Sequence, residues 1–145
     1  MECARLYCDV FTKGQYQGEQ WTEQSAYHRL FELQAQSPGL SVLATEESEI
    51  IGFTMVTSTL WWNGRNAEIV EFLVKPAYQH QGIGTRLLAS TKTHLQSKGV
   101  VSIYSISRAE GSACSFYVRQ GLRPTRYLLL AQDLDGDEGK RNPPK

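Results

Sequence analysis

The residues with the clearest chemical potential form a short loop between a strand and a helix. The segment reads Gln79-His80-Gln81-Gly82-Ile83-Gly84, and its two glycines allow backbone conformations that other residues resist. Where such a loop leads into a helix, the first helical N–H groups have no partner within the helix and lie at the positive end of its dipole. That arrangement binds anions without a run of basic side chains. We therefore predict a phosphate site.

The elements on either side of the loop fit this interpretation. The apolar run from Ala67 to Val74 predicts a central strand, which is followed by a connection that contains Pro76. After the loop, one helical face collects apolar side chains and a threonine, namely Ile83, Leu87, Leu88, Thr91 and Leu95. Gly99 is a fitting terminator for that helix.

The rest of the chain divides into alternating helices and strands. Before the central strand, apolar spacing predicts two helices, one over residues 2–13 and one from the N-cap Thr22 to just before Ser37-Pro38-Gly39. A hairpin of strands over 40–45 and 50–60 follows, and a loop over 61–66 leads to the central strand. After the loop and helix, we predict a strand over 100–106, a short helix from Ser112 and a last strand over 123–130. This order indicates an α/β fold with a mixed sheet, antiparallel first and parallel near the helix that follows the glycine loop.

The spacing Gln79-x-x-Gly82-x-Gly84, after a strand that ends in Leu73-Val74, resembles the acetyl-CoA-binding motif of the GNAT superfamily of N-acetyltransferases. The stretch from Ala113 through Phe116-Tyr117 to Gly121-Leu122 resembles the second GNAT signature. It departs from that signature at Glu110, where asparagine is frequent, and at Leu122, where phenylalanine is usual. The resemblance implies a GNAT-like mixed β-sheet with helices on both faces. The family usually has a strand before its first helix, whereas this sequence begins in that helix, and this leaves the first hairpin strand at a sheet edge. Two alternatives stay open: a partner chain fills that edge, or the sequence is trimmed.

The resemblance also implies that acetyl-CoA is the acetyl donor. Backbone N–H groups of the loop would hold the CoA pyrophosphate, with a hydroxyl added at the helix start; these residues are Gln79, His80, Gln81, Gly82, Ile83, Gly84 and Thr85. Main-chain groups at the strand end, at Phe72, Leu73 and Val74, would pair with the pantetheine arm.

Three side chains are candidates for proton transfer. The resemblance assigns Tyr117 as general acid to the leaving thiolate, and a phenol with a reference pKa near 10 is protonated at neutral pH. An amine must lose a proton on acetylation, and the resemblance offers Glu68 or Glu71 as the base. Strand alternation predicts that these two carboxylates point to opposite faces, so that only one faces the acceptor.

The acceptor itself is an amine of undetermined type. The resemblance places its pocket near residues 16–21 and 61–66, whose aromatic side chains would suit a cation or else serve packing or association. A different class of function stays open, namely a non-catalytic CoA-binding regulatory or interaction module. A dinucleotide-binding enzyme is disfavoured, because Leu87 stands where the motif G-x-G-x-x-G requires its last glycine.

Composition narrows the remaining choices. We predict one domain over residues 1–132 and a disordered tail over 133–145 in this chain of 145 residues. Lys plus Arg equals Asp plus Glu, at 15 each, which argues against general nucleic-acid or membrane binding. Three cysteines without CxxC spacing and no signal peptide indicate a cytoplasmic protein with reduced thiols. The histidines show no metal-ligand spacing, so we predict no metal site. The sheet edge makes a homodimer our expectation for assembly.

Overall fold

The computed structural model describes residues 1–12, 19–132 and 134. Its helices are α1 (Glu2–Phe11), α2 (Glu23–Gln36), α3 (Ile83–Ser97) and α4 (Ser112–Arg119), with a short 3₁₀ helix at Pro76–Tyr78. Its strands are β1 (Val42–Glu46), β2 (Glu49–Trp61), β3 (Gly64–Val74) and β4 (Val100–Tyr104). The predictions for residues 13–18, 133 and 135–145 lie outside the described residues.

The four strands form one mixed sheet in the order β1-β2-β3-β4. The pairs β1–β2 and β2–β3 are antiparallel and β3–β4 is parallel, which confirms the predicted sheet. The described chain enters its first helix at Glu2, and β1 lies at one edge of the sheet.

Helices cover both faces of this sheet. The α1–α2 pair packs its apolar side chains against Phe53, Met55 and Leu73. On the opposite face, the fully buried Thr91 of α3 bonds Thr54 of β2, with 3.2 Å between the two hydroxyl oxygens. The α2 helix starts as predicted: the Thr22 hydroxyl accepts a hydrogen bond from the backbone N–H of Ser25, and the Ser25 hydroxyl accepts one from the backbone N–H of Thr22.

A β-bulge in β3 changes which side chains share a face. Met55 is paired with Glu71, but the next residue of β2, Val56, is paired with Ile69, so Val70 is an extra residue in β3. Alternation is interrupted there. Glu68 pairs with Thr57 and Glu71 pairs with Met55, and Thr57 and Met55 are two apart on β2. Directly paired residues share a sheet face, so both carboxylates face the α1–α2 side. The prediction of opposite faces was therefore wrong.

The connection between β2 and β3 is also tighter than predicted. Trp61 pairs with Gly64, which leaves a turn of only Trp62 and Asn63, and residues 64–66 belong to the strand instead of a loop. The β2–β3 pairing therefore continues to Trp61 and Gly64, whereas β1 pairs with β2 only as far as Thr54.

The chain falls into two compact units, Met1–Ser105 and Ile106–Lys145, and a single domain over residues 1–132 stays a prediction. In the second unit, α4 is the element of regular structure among the described residues. The predicted strand over residues 123–130 is not formed. Tyr127, Leu128, Leu129 and Leu130 are between 58% and 86% exposed. No strand of the described chain pairs with them, and an isolated strand is unstable in water.

Candidate active site

The glycine loop folds back on the strand that precedes it. The Gln79 side-chain amide donates to the Val74 carbonyl at 2.8 Å, and the Gln81 amide donates to the Ala77 carbonyl at 2.9 Å. His80 and Gly82 have left-handed backbones, with φ of 58° and 80°. The two glutamine side chains thus hold the loop in place, a role that the sequence motif did not indicate.

Gly82 is the N-cap of α3 and provides no side-chain cap. The first turn of α3 has no acidic residue to compete for its N–H groups. The backbone N–H of Arg86 bonds the Gly82 carbonyl at 3.1 Å, so the helix begins directly at the loop. This geometry provides the positive helix end and backbone donors that an anion requires.

The parallel ladder between β3 and β4 ends early. Its last pair joins Glu68 to Tyr104, and β3 continues to Val74. The Ser105 hydroxyl bonds the Ile69 carbonyl at 3.0 Å just beyond that pair. The Phe72–Val74 segment therefore lies where β4 no longer pairs with β3.

Glu68 lies at this divergence. The carboxylate is half-buried and accepts a hydrogen bond from the Tyr104 hydroxyl. Burial, followed by the nearby charge of Glu68 and the hydrogen bond to it, raises the pKa of Tyr104. Tyr104 therefore acts as a donor to Glu68, a partnership that depends on the parallel pairing of β3 with β4.

Glu71 has very different surroundings. Its side chain is buried, and the residue is 6% exposed. Its Oε1 atom accepts a hydrogen bond from Arg29 Nε at 2.6 Å and one from the Tyr7 hydroxyl at 3.2 Å. Arg29 Nη2 also lies 2.6 Å from the same oxygen. Burial raises the pKa of Glu71, and the Arg29 charge opposes that shift. Burial and the Glu71 charge likewise raise the pKa of Tyr7. We call Tyr7, Arg29 and Glu71 the Glu71 cluster.

Trp21 joins the Glu71 cluster to the connection between α1 and α2. Its ring meets the Tyr7 ring edge-on with centroids 5.1 Å apart, and the Arg29 guanidinium carbon lies 5.8 Å from its centroid. The Trp21 indole N–H donates to Glu19 Oε2 at 2.6 Å. Trp21 is thus a packed residue, whereas Trp62 at the hairpin turn is 93% exposed. Residues 16–18 of the predicted acceptor region lie outside the described residues.

Tyr117 belongs to the second compact unit. It is a buried residue of α4, and its ring centroid lies 5.6 Å from that of Phe116. The helix closes at Gly121, whose φ of 95° favours glycine. Cys114 on the same helix is a half-buried free thiol.

Sequence reasoning missed the residues that surround the two glutamates. Tyr7 falls within the helix predicted over residues 2–13 and Arg29 within the second helix, but neither belongs to a motif. Their partner Glu71 lies 64 and 42 positions away along the chain. One signal was available in the sequence. Glu71 stands in an otherwise apolar strand, and a carboxylate that is buried there requires hydrogen-bonding or charged partners from elsewhere in the fold.

The fold and loop together define a class of protein. In the mixed sheet, the parallel strands β3 and β4 diverge, and a glycine loop after β3 leads into the N-terminus of α3. This is the arrangement expected of an acetyl-CoA-dependent acetyltransferase. The chain belongs to the acetyltransferase (GNAT) family, whose model matches residues 2–122.

Individual relatives agree with this assignment. The chain is 27% identical over 99 residues to the uncharacterized N-acetyltransferase YjhQ of Escherichia coli K12, a match that covers 66% of this chain and about half, 52%, of YjhQ. An aminoglycoside acetyltransferase from an uncultured soil metagenomic sample, solved with sisomicin, matches with a TM-score of 0.68 at 18% identity, over 92% of this chain and 86% of that one. AAC(6')-Iy in complex with a CoA-containing bisubstrate analogue matches with a TM-score of 0.66 at 14% identity, over 90% of each chain. These two structures establish the likeness in fold.

Proposed function

We propose that this chain transfers the acetyl group of acetyl-CoA to an amine by direct attack within a ternary complex. The observation that carries the proposal is the continuous path from the diverging end of β3, at Phe72–Val74, to the uncapped N-terminus of α3 at Gly82. Along that path, main-chain groups can pair with the amide-rich pantetheine arm and backbone N–H groups can bind the pyrophosphate.

The loop residues Gln79 to Gly84, with Thr85, are proposed to bind the CoA pyrophosphate. The side chains of Gln79 and Gln81 bond backbone carbonyls, so their contribution to the phosphate is through the backbone. Phe72, Leu73 and Val74 are proposed to pair through main-chain groups, which agrees with the burial of the Leu73 and Val74 side chains.

The proposed chemistry conserves atoms and protons without an acyl-enzyme. The neutral amine attacks the thioester carbonyl carbon, a carbon–nitrogen bond forms, and the carbon–sulfur bond breaks. Glu68 or Glu71 accepts the proton that the amine loses, and Tyr117 donates a proton to the departing thiolate. A backbone N–H at Leu73 or Val74 polarises the carbonyl. Cys114 has no part in this scheme.

The surroundings favour Glu68 over Glu71 as the base. Glu68 is half-buried beside the divergence of β3 and β4. Glu71 is 6% exposed and its Oε1 already accepts bonds from Tyr7 and Arg29, so it is poorly placed to meet an amine.

Ligand-dependent stability tests the donor assignment first. Acetyl-CoA at 100 times its Kd should stabilise the fold by about 2.7 kcal/mol, seen as a higher Tm, while NAD should give no shift. An amine screen with detection of the released thiol then tests transfer. Polyamines, amino acids, aminoglycosides and peptide N-termini belong in that screen. Binding of acetyl-CoA without transfer to any of them would favour a CoA-binding module instead.

A cytoplasmic location and a homodimer complete the proposal. None of the helices in the described ranges is both long and apolar enough to span a membrane. The short β1 strand at the sheet edge supports pairing between two copies. Sedimentation at high protein concentration should show a dimer, and a monomer there would contradict the pairing.

A further inference from the structure

Two helices and one strand meet at a single carboxylate oxygen. Tyr7 comes from α1, Arg29 from α2, and both donate to Oε1 of Glu71 on β3. Because Glu71 is almost fully buried, each bond forms in a medium where charge interactions are stronger than in water. The Glu71 cluster therefore fixes the α1–α2 pair to the strand at one defined point.

Trp21, the residue before the N-cap of α2, adjoins this point. It packs edge-on against Tyr7, and the Arg29 guanidinium carbon lies 5.8 Å from its ring centroid. Loss of the Arg29–Glu71 bond would remove a support of the Trp21 ring as well as the tie between α2 and β3.

The bulge at Val70 brings Glu68 to the same side as the Glu71 cluster. Glu68 and Glu71 both face the α1–α2 pair, and Trp21 packs against the core on that same face. The placement of an amine bound between Trp21 and Glu68 would depend on how firmly the α1–α2 pair is held to β3.

We propose that Arg29 and Tyr7, acting through Glu71, are positioning residues for the amine acceptor, and that Glu71 does not take its proton. The inference rests on the proposed acetyl transfer. The Glu71 cluster holds α1, α2 and the adjoining Trp21 against the face that carries Glu68, and Glu68 alone accepts the proton. Loss of the cluster should weaken amine binding and leave the chemical step intact.

Steady-state kinetics with an amine identified by the screen separates these roles. Arg29→Gln and Glu71→Gln should raise KM for the amine about tenfold, with kcat and KM for acetyl-CoA within about threefold of wild type. Arg29→Lys should recover part of the amine affinity, because it restores the charge without the planar two-nitrogen contact. The double variant Arg29→Gln/Glu71→Gln leaves no buried lone charge, and it should show the same rise in KM if a single variant fails to fold.

Arg5→Gln provides the matched control. Arg5 of α1 pairs with Glu23 of α2 at 3.2 Å on the exposed surface, so it joins the same two helices outside the Glu71 cluster. It should leave all three kinetic constants unchanged. An equal effect of Arg5→Gln would overturn the inference, as would a loss of kcat of about a hundredfold at constant KM in Glu71→Gln. If the wild-type protein acetylates no amine, both the proposed function and the positioning role are refuted. If the wild-type protein is active and the variants keep its KM for the amine, only the positioning role is refuted.

Discussion

The glycine loop and the Glu71 cluster hold their surroundings in contrasting ways. The loop uses main-chain groups from consecutive residues, and its two glutamine side chains bond carbonyls no more than five positions away. The Glu71 cluster uses side chains drawn from three elements that lie far apart along the chain. A main-chain site depends on backbone conformation and tolerates many side chains, whereas a buried charge cluster depends on the identity of each member. Substitutions in the two regions should therefore have different consequences.

The largest effect is expected at the proposed base. Glu68→Gln should lower kcat by about 10²–10⁴-fold, because the amide cannot accept the proton that the amine loses. The fold should persist, since Glu68 is half-buried and Tyr104 can still donate to the amide oxygen. Turnover and Tm are measured on the same preparation. Retention of full kcat in Glu68→Gln, with loss in Glu71→Gln, would assign the proton transfer to Glu71.

Removal of one charge from the Glu71 cluster should have the next largest effect. Arg29→Gln leaves Glu71 buried without its cation and should cost about 3–5 kcal/mol of unfolding free energy. Glu71→Gln should cost less, because the half-buried Arg29 can then turn toward water. Urea denaturation measures both values. The exposed pair offers the comparison: Arg5→Gln should cost less than about 1 kcal/mol. Equal costs at Arg5 and Arg29 would show that burial does not strengthen the cluster.

A pair of glycines tests the main-chain site. Gly82 and Gly39 have nearly the same φ, 80° and 79°, and a Cβ at either position would meet nothing within 4 Å. Replacement of either by alanine should therefore destabilise by the same amount, about 1–2 kcal/mol, through backbone strain. Only Gly82→Ala should also weaken acetyl-CoA binding, because Gly82 starts α3. Isothermal titration calorimetry of both variants with acetyl-CoA makes the comparison. Equal affinities would show that the glycine loop does not bind acetyl-CoA.

The smallest effect is expected at alkaline pH. The pKa of Tyr7 is raised in the folded state, so the folded protein retains a proton that the unfolded chain releases near pH 10. Stability from this group is therefore fully present below about pH 10 and is lost as the pH rises toward the folded-state pKa. Tyr7→Phe should remove this pH-dependent loss in urea melts between about pH 9 and pH 11. An unchanged slope in the variant would mean that another group titrates there.

Residues that act through local patterns were predicted from the sequence, and residues that act at a distance were not. The glycine loop, the Thr22 cap and the central strand could be recognised because each depends on neighbours in the chain. The bulge at Val70 could not, because it is defined by the register of β2 against β3 and leaves no mark in the apolar pattern. The absent strand over 123–130 has a similar cause: strand propensity is local, but a ladder needs a partner. Arg29 and Tyr104 acquire their roles only when distant elements meet.

The bulge has a consequence for how this chain can change over evolutionary time. Loss of the single codon for Val70 would restore strict alternation in β3. Glu68 and Glu71 would then stand two positions apart in a regular strand, opposite Thr57 and Met55 as they are now, and would keep their common face. If Val70 stayed and the bulge were lost, the half of the strand before Val70 would turn over and move Glu68 to the α3 side. The extra residue and the bulge therefore compensate for each other, and this strand can lose both together but not the bulge alone.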